Sequence, residues 1–446
     1  MPGAPLSRWT MSYFSVSLVC LLMGLAAMGA GFGFPADDVG APDTLVVVHL
    51  LAIGWLGLLF CGALLQFVPV LAAAKPRLAD LAAPALILLI GGLLALLAGF
   101  LSLGGWLDFD LAIMPAAATC LATGFSALAL SFAATILSQP AMDHSGRLVL
   151  IGLAALLVTI ALGAAFTGVL SGLLDAGWSI DLLKRGPPVH ALSGTVGWMS
   201  ITAVGVSYRL FSMFMLAPET GFSTRRLISI VVPALLVLWV GLLLTFVYPA
   251  VVRLAAPVAI LLFGLALAIY LADIVKMVRS RRRKILELNT VAGLAALGYL
   301  VLAFAMFALD QILPDRFPLG PAAIYALTMG WLSGLGLAQL YKIVPFLTWL
   351  EAYGPVMGRS PVPRVQDLIR ETRGRLWFVL YHTGVLMGVI ALLSNADTLF
   401  RLAAFTQLAA VAGLAVEFTR ARQLRYAPAG LPQGAVRPHL FYANPI

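Results

Sequence analysis

Residues Thr44 to Leu71 read TLVVVHLLAIGWLGLLFCGALLQFVPVL, a run without one Asp, Glu, Lys or Arg. A hydrocarbon core about 30 Å thick takes about 20 apolar residues of helix, so this stretch is long enough to cross a bilayer. Eleven other runs share its character: 12–34, 80–104, 110–137, 146–172, 187–214, 224–249, 253–277, 288–312, 320–347, 374–394 and 398–422. In lipid an open chain satisfies its backbone N–H and C=O groups only by coiling into helices. The expected class is therefore all-α, a polytopic membrane bundle of about twelve transmembrane helices.

Composition agrees. Of the 446 residues 61% are hydrophobic and 11% charged, with a mean hydropathy of +1.01. A soluble domain carries about a quarter of its residues as charges. The three cysteines, Cys20, Cys61 and Cys120, lie inside apolar runs and form no CxxC pair, which leaves neither a disulfide framework nor a zinc ribbon. The first run is longer than a signal-peptide core and lacks a small-residue cleavage site, so a retained helix is expected.

The net charge of +9 reflects topology. With the N-terminus inside, 21 of the 28 basic residues fall in inner loops and tails, among them Lys276, Arg279, Arg281, Arg282, Arg283 and Lys284. Five fall outside, namely Lys184, Arg185, Arg253, Arg316 and Arg401, while Arg209 and Lys342 sit at inner helix ends. This asymmetry predicts cytoplasmic termini in a bacterial-type inner membrane. The charge is attracted at most to anionic lipid, and nucleic acid is not an expected partner. The outer loops carry acids, including Asp37, Asp38, Asp43, Asp108, Asp175, Asp181 and Asp315, either as a solvated rim or as a surface for a basic soluble partner. The tail from 426 to 446 is rich in Pro and Gly and is not expected to be helical.

The run quoted first has two echoes. His49-Leu-Leu-Ala-Ile-Gly54-Trp55 in helix 2 is answered by His190-Ala-Leu-Ser-Gly194-Thr-Val-Gly197-Trp198 in helix 6 and Tyr325-Ala-Leu-Thr-Met-Gly330-Trp331 in helix 10. Counted from each Trp, a small residue follows at +7 (Gly62, Gly205, Ala338) and a long polar one at +11 (Gln66, Arg209, Lys342). Pro recurs at +14 in helices 2 and 10 (Pro69, Pro345). Each of these three Gly-Trp pairs falls on the second helix of a four-helix block. Three pseudo-symmetric four-helix units are expected, roughly 1–140, 141–280 and 281–425, with helices 2, 6 and 10 innermost. Small residues at +7 let neighbouring backbones approach closely.

Of five histidines, His144 and His439 lie in a loop and the tail. His49, His190 and His382 lie within or at the edge of apolar helices, where an ionisable group is costly and marks a functional site. A neutral imidazole ligates heme iron or copper when its second ring nitrogen is held by a hydrogen bond. His49 and His190 are read as sharing a depth and a repeat phase, which makes them candidates to face one interior cavity. The alternative is a buried histidine bonded to a backbone carbonyl or to a Ser or Thr. Asp273, Glu417 and Asp310, near helix ends, are expected to be interfacial. No phosphate-binding loop, Ser/His/Asp set or HExxH motif is present.

The segment from His190 to Trp198, followed by Gly205 and Tyr208, resembles a helix of heme-copper oxidase subunit I and its nitric oxide reductase relatives. There a His-x-His pair precedes Gly-Trp and binds two hemes; His190 matches the first His, while Leu192 stands at the second. His49 matches the family's other low-spin heme ligand on helix 2. The resemblance implies twelve helices in three arcs of four. In the family, however, the His-x-His pair lies on helix 10, where this chain has Ala323 and Tyr325. Helix 7 contains no histidine at all. A binuclear centre is therefore not expected, nor is terminal oxidase activity or bound copper. What the resemblance implies instead is a b-type heme (heme b) or metal held by His49 with His190 or His382. Its role would be electron transfer, sensing or respiratory assembly, beside a redox partner or respiratory complex subunit. A cofactor-free permease for a small solute or ion, with Gln66, Arg209 and Lys342 at the inner mouth of its pore, is the second expectation. A purely structural subunit is the third.

Overall fold

Lipid offers the backbone no hydrogen bonds, and the chain answers with helices throughout. The computed structural model describes residues 7–139, 142–218, 221–313, 317–427, 432 and 434–443. Asp315 and Arg316, expected in an outer loop, lie outside the described residues. Among the described residues there is no strand, and twelve helices are long and apolar enough to cross a membrane. They are α1 (Thr10–Ala30), α2 (Pro42–Ala72), α3 (Ala79–Leu103), α4 (Ile113–Ile136), α5 (His144–Leu170) and α6 (Ser179–Met215), then α7 (Ser223–Thr245), α8 (Pro249–Arg279), α9 (Leu288–Ile312), α10 (Leu319–Val356), α11 (Glu371–Leu393) and α12 (Asp397–Arg422).

Two boundaries depart from the apolar pattern. Helix α6 begins at Ser179, ahead of Pro187 and Pro188, because a polar first turn is steadied there by Arg185, which pairs with Asp181 at 3.5 Å and also donates to the Thr245 carbonyl. Helix α10 runs on past residue 347 because Glu351, which looks like a helix-ending charge, is buried against Arg422 at 2.8 Å.

The chain divides into two compact units, one of Met1–Gln66, Glu287–Leu300 and Ile324–Ile446, the other of Phe67–Leu286 and Val301–Ala323. These units do not coincide with the sequence thirds, because they follow contact rather than position in the chain. In the first unit α1 packs on α2 and α12, α11 lies along α12, and α10 touches both α11 and α12. In the second, α3 pairs with α4, α7 pairs with α8, and α5 packs on α4 and α6.

Helices α2, α6 and α10 share a backbone feature as well as a sequence pattern. Each contains one π-helical segment: Leu50–Gly57, Ser193–Ser200 and Ala326–Ser333. Every one begins five residues before its Trp and ends two after it. Such wide turns are rare and concentrate at functional places in helices, and here three helices carry one in the same register. In α6 and α10 hydroxyls bond carbonyls at matching positions. Ser200 Oγ donates to Thr195 O (2.8 Å) and Ser333 Oγ to Thr328 O (2.7 Å), while Thr195 and Thr328 donate one turn further back, to Ala191 O and Ile324 O. In α2, Gly57 and Ala52 occupy those two places.

These three are also the most enclosed spans, with 61%, 61% and 83% of their most apolar stretches buried in α2, α6 and α10, against 50% or less elsewhere. The small residue at +7 is a contact point. A Cβ on Gly62 would stand 2.8 Å from Tyr13 of α1, and one on Gly205 would stand 2.8 Å from Leu148 of α5.

The described part of the tail is non-helical and is tied to the first unit. Ala443 N–H donates to Arg8 O (2.9 Å), Val436 N–H to Ala352 O (3.1 Å), and the Arg422 guanidinium to Tyr442 O (3.2 Å).

Candidate functional site

The π segment of α10 is the frame of the site. Gly330 and Gly334 lie four residues apart on one side of it and leave a flat backbone surface. Tyr299 of α9 lies over Gly330, where an added Cβ would come within 2.5 Å of the Tyr299 Cβ. His382 of α11 lies over Gly334, with its Cε1 3.2 Å from an added Cβ. The Tyr299 ring stacks on the imidazole at 5.7 Å between centroids and 10° between planes, and its hydroxyl donates to the His382 carbonyl at 2.7 Å. Tyr381 meets the imidazole edge-on at 5.6 Å and donates its hydroxyl to Met329 O, inside the π segment, at 2.7 Å.

The result is an imidazole whose orientation is set by aromatic rings and a backbone surface rather than by hydrogen bonds to its nitrogens. Nδ1 and Nε2 of His382 are both buried and have no hydrogen-bond partner among the described residues. Buried polar atoms are nearly always bonded, and one left bare costs about 1–3 kcal/mol. It lacks the hydrogen bond at the second nitrogen that ordinarily steadies a metal-ligating imidazole.

The surrounding cluster is bonded except at one amide oxygen. Gly384 and Gly388 of α11 admit Gln407 of α12 and Tyr325 of α10, at 2.8 Å and 2.5 Å from added Cβ atoms. There Gln407 Nε2 donates to Tyr325 Oη at 2.6 Å and to Ala403 O at 3.1 Å, while its Oε1 is buried without a partner.

His49 stands immediately before the π segment of α2, and its Nδ1 lies 2.8 Å from Leu45 O. His190 Nδ1 lies 3.0 Å from Thr159 O of α5, with Phe166 edge-on at 5.5 Å. A carbonyl only accepts, so in both rings Nδ1 carries the proton and the neutral form keeps its lone pair on Nε2, the tautomer of a metal-ligating imidazole. The expectation of a shared repeat phase needs correction. Measured from the Trp that anchors each π segment, His49 stands at −6 and His190 at −8, an offset of about 200° on a helix. The residues in phase with His49 are Leu192 and Tyr325. His49 and His382 belong to one compact unit and His190 to the other.

The polar residues at +11 are placed as follows. Gln66 donates to Thr10 Oγ1 at 2.8 Å. Lys342 is paired with Glu287 at 2.6 Å, and Glu287 also accepts from Gln366 at 2.9 Å. Arg209 lies on an exposed side of α6. Asp273 and Glu417, expected to be interfacial, are both buried: Asp273 accepts from Tyr208 Oη at 2.8 Å, and Glu417 holds Arg420 at 2.6 Å and Tyr426 at 3.1 Å. Once buried, a carboxylate must be satisfied by protein groups because lipid offers none. Asp310 is half-buried.

Sequence reasoning missed the Glu351–Arg422 pair and the aromatic cage of His382. The signal available for the first was that Glu351 is the one acid in α10. The cage had no local signal, since Tyr299 is far from His382 in the chain.

For a metal, the donor set offers single imidazoles. Among the described residues no group of three or more His, Cys, Asp or Glu is gathered to hold an ion. For a heme, one axial imidazole is chemically sufficient; His382 offers two unpartnered nitrogens closed off by packed side chains, and His49 and His190 offer imidazoles whose Nδ1 is bonded. No family model and no curated protein matches this chain.

Proposed function

We propose that this chain is an oxidase-subunit-I-like integral membrane protein that holds one b-type heme or metal ion through an intramembrane imidazole. Its work is electron transfer, sensing or support of respiratory assembly, and not oxygen reduction. His382 is the leading ligand, with His49 and His190 behind it. The observation that carries the reading is the pair of unpartnered, buried nitrogens on His382.

A bound heme would supply one-electron chemistry or a binding place for a small gaseous ligand. The chain's own contribution is orientation. Tyr299 fixes the ring plane by stacking and ties the His382 backbone to α9, while Tyr381 anchors α11 to the π segment. Gly334 leaves the ring its place. In the same reading the termini are cytoplasmic in a bacterial-type inner membrane, supported by the distribution of Lys and Arg, and the acidic outer loops offer a surface to a redox partner.

The permease reading has less support, because Gln66 and Lys342 are engaged by Thr10 and Glu287. The deciding experiment is heme and metal content per mole of detergent-purified protein from cells supplied with heme precursor. About one equivalent supports the reading; none in either assay removes it.

A further inference from the structure

Helix α8 carries one continuous exposed face. Leu254, Val258, Leu261, Leu265, Ala268, Ala272 and Val275 follow at helical spacing and all are exposed. At about 100° per residue they lie within about 60° of a single direction. The same direction continues into Lys276 and Arg279, both exposed. From Leu265 to Lys276 the helix rises about 16 Å, close to half of a hydrocarbon core of about 30 Å. The face therefore presents one leaflet's depth of apolar side chains and then a pair of cations.

At those cations the surface is hollow. An open hollow of about 500 Å³ on this side of α8 is lined by Ala272, Val275, Lys276, Arg279 and Ser280. Among the described residues neither Lys276 nor Arg279 is paired with a carboxylate. The nearest acid in sequence, Asp273, is buried and accepts from Tyr208 on another side of the helix. Arg281, Arg282, Arg283 and Lys284 follow at once, so six cations occupy residues 276–284.

We propose that this cavity is a binding site for the headgroup of an anionic phospholipid, whose acyl chain lies along the Leu265–Val275 face. Charge complementarity selects a phosphate-bearing headgroup. The apolar approach selects a lipid over free phosphate, because an inorganic anion gains nothing from the exposed leucines and valines that lead into the cavity. A zwitterionic lipid matches the apolar face and lacks the net charge.

The test is native mass spectrometry of the full chain released from mixed micelles containing phosphatidylglycerol or cardiolipin, with phosphatidylcholine as the reference lipid. The wild type should retain anionic lipid in preference to phosphatidylcholine. Lys276→Gln and Arg279→Gln should each weaken retention about fivefold, and together about 25-fold. The charge-matched control Arg359→Gln with Arg375→Gln, at exposed positions elsewhere, should change it less than twofold. Equal retention of both lipid classes, equal loss in the two double variants, or displacement of the lipid by millimolar inorganic phosphate would each overturn the proposal.

Discussion

The indole N–H of Trp55 donates to Ser333 Oγ at 2.8 Å, and the Ser333 hydroxyl in turn donates to Thr328 O at 2.7 Å. The donor sits in the π segment of α2 and the acceptor closes the π segment of α10. One hydroxyl thus serves a tryptophan on one repeated helix and a carbonyl within the wide turn of another. In the second unit Trp239 of α7 donates in a similar way to Ser193, the first residue of the α6 segment, at 2.9 Å. Serines at the ends of these segments are junctions between helices.

Ser333→Ala should therefore strip a buried indole of its partner and the Thr328 carbonyl of its side-chain donor. The cost is about 1–3 kcal/mol, read as a lower midpoint of thermal unfolding in detergent. Trp55→Phe in the same background should add less than it does alone, because the two changes remove one interaction.

Much of this was legible in the sequence. Hydropathy located all twelve spans, and the Gly-Trp spacing picked out the three enclosed helices because small residues at close approaches leave a direct trace. The π segments left none: Leu50–Gly57 and Ser193–Ser200 have little composition in common, and the widening lies in the backbone. Depth within a helix is legible, but angular phase is not, so His49 and His190 read as one phase although they stand at −6 and −8 from their Trp. A two-residue slip is small along the axis and large around it. The environment of His382 depends on Tyr299, Met329 and Gly334, and no pattern within α11 announces residues brought from other helices.

The pair Glu351–Arg422 lies almost wholly out of solvent, with side chains 0% and 2% exposed. Glu351→Ala should leave the guanidinium buried with its bonds to Thr348 and the tail but no counter-charge, at a cost of about 3–5 kcal/mol. Glu351→Leu combined with Arg422→Met should recover most of that loss, as paired removal leaves no stranded charge. Unfolding midpoints of the single and double variants measure both.

Gly388→Ala should be more damaging than its one added methyl suggests. The new Cβ would sit 2.5 Å from the Tyr325 ring, which Gln407 holds at its hydroxyl. A rigid aromatic cannot yield as a leucine would, so α11 must shift, at about 1–3 kcal/mol. Gly298→Ala, where nothing lies within 4 Å, should be nearly silent in the same unfolding assay.

The cage makes its own prediction. Tyr299→Leu keeps bulk over Gly330 but removes both the stacking plane and the bond to the His382 carbonyl. Cofactor content should fall and its absorption band broaden, with the fold retained by circular dichroism. Unchanged content and band shape would show that Tyr299 does not orient the ring.

The central claim is that the bare imidazole of His382 is a ligand. Its most direct test is the visible absorption spectrum of purified wild type and His382→Gly, each recorded with and without added imidazole. The account predicts a b-type heme spectrum in the wild type, its loss in His382→Gly, and its return when free imidazole fills the vacated place. A wild-type spectrum without heme bands, or a glycine variant that keeps them unchanged, would contradict it.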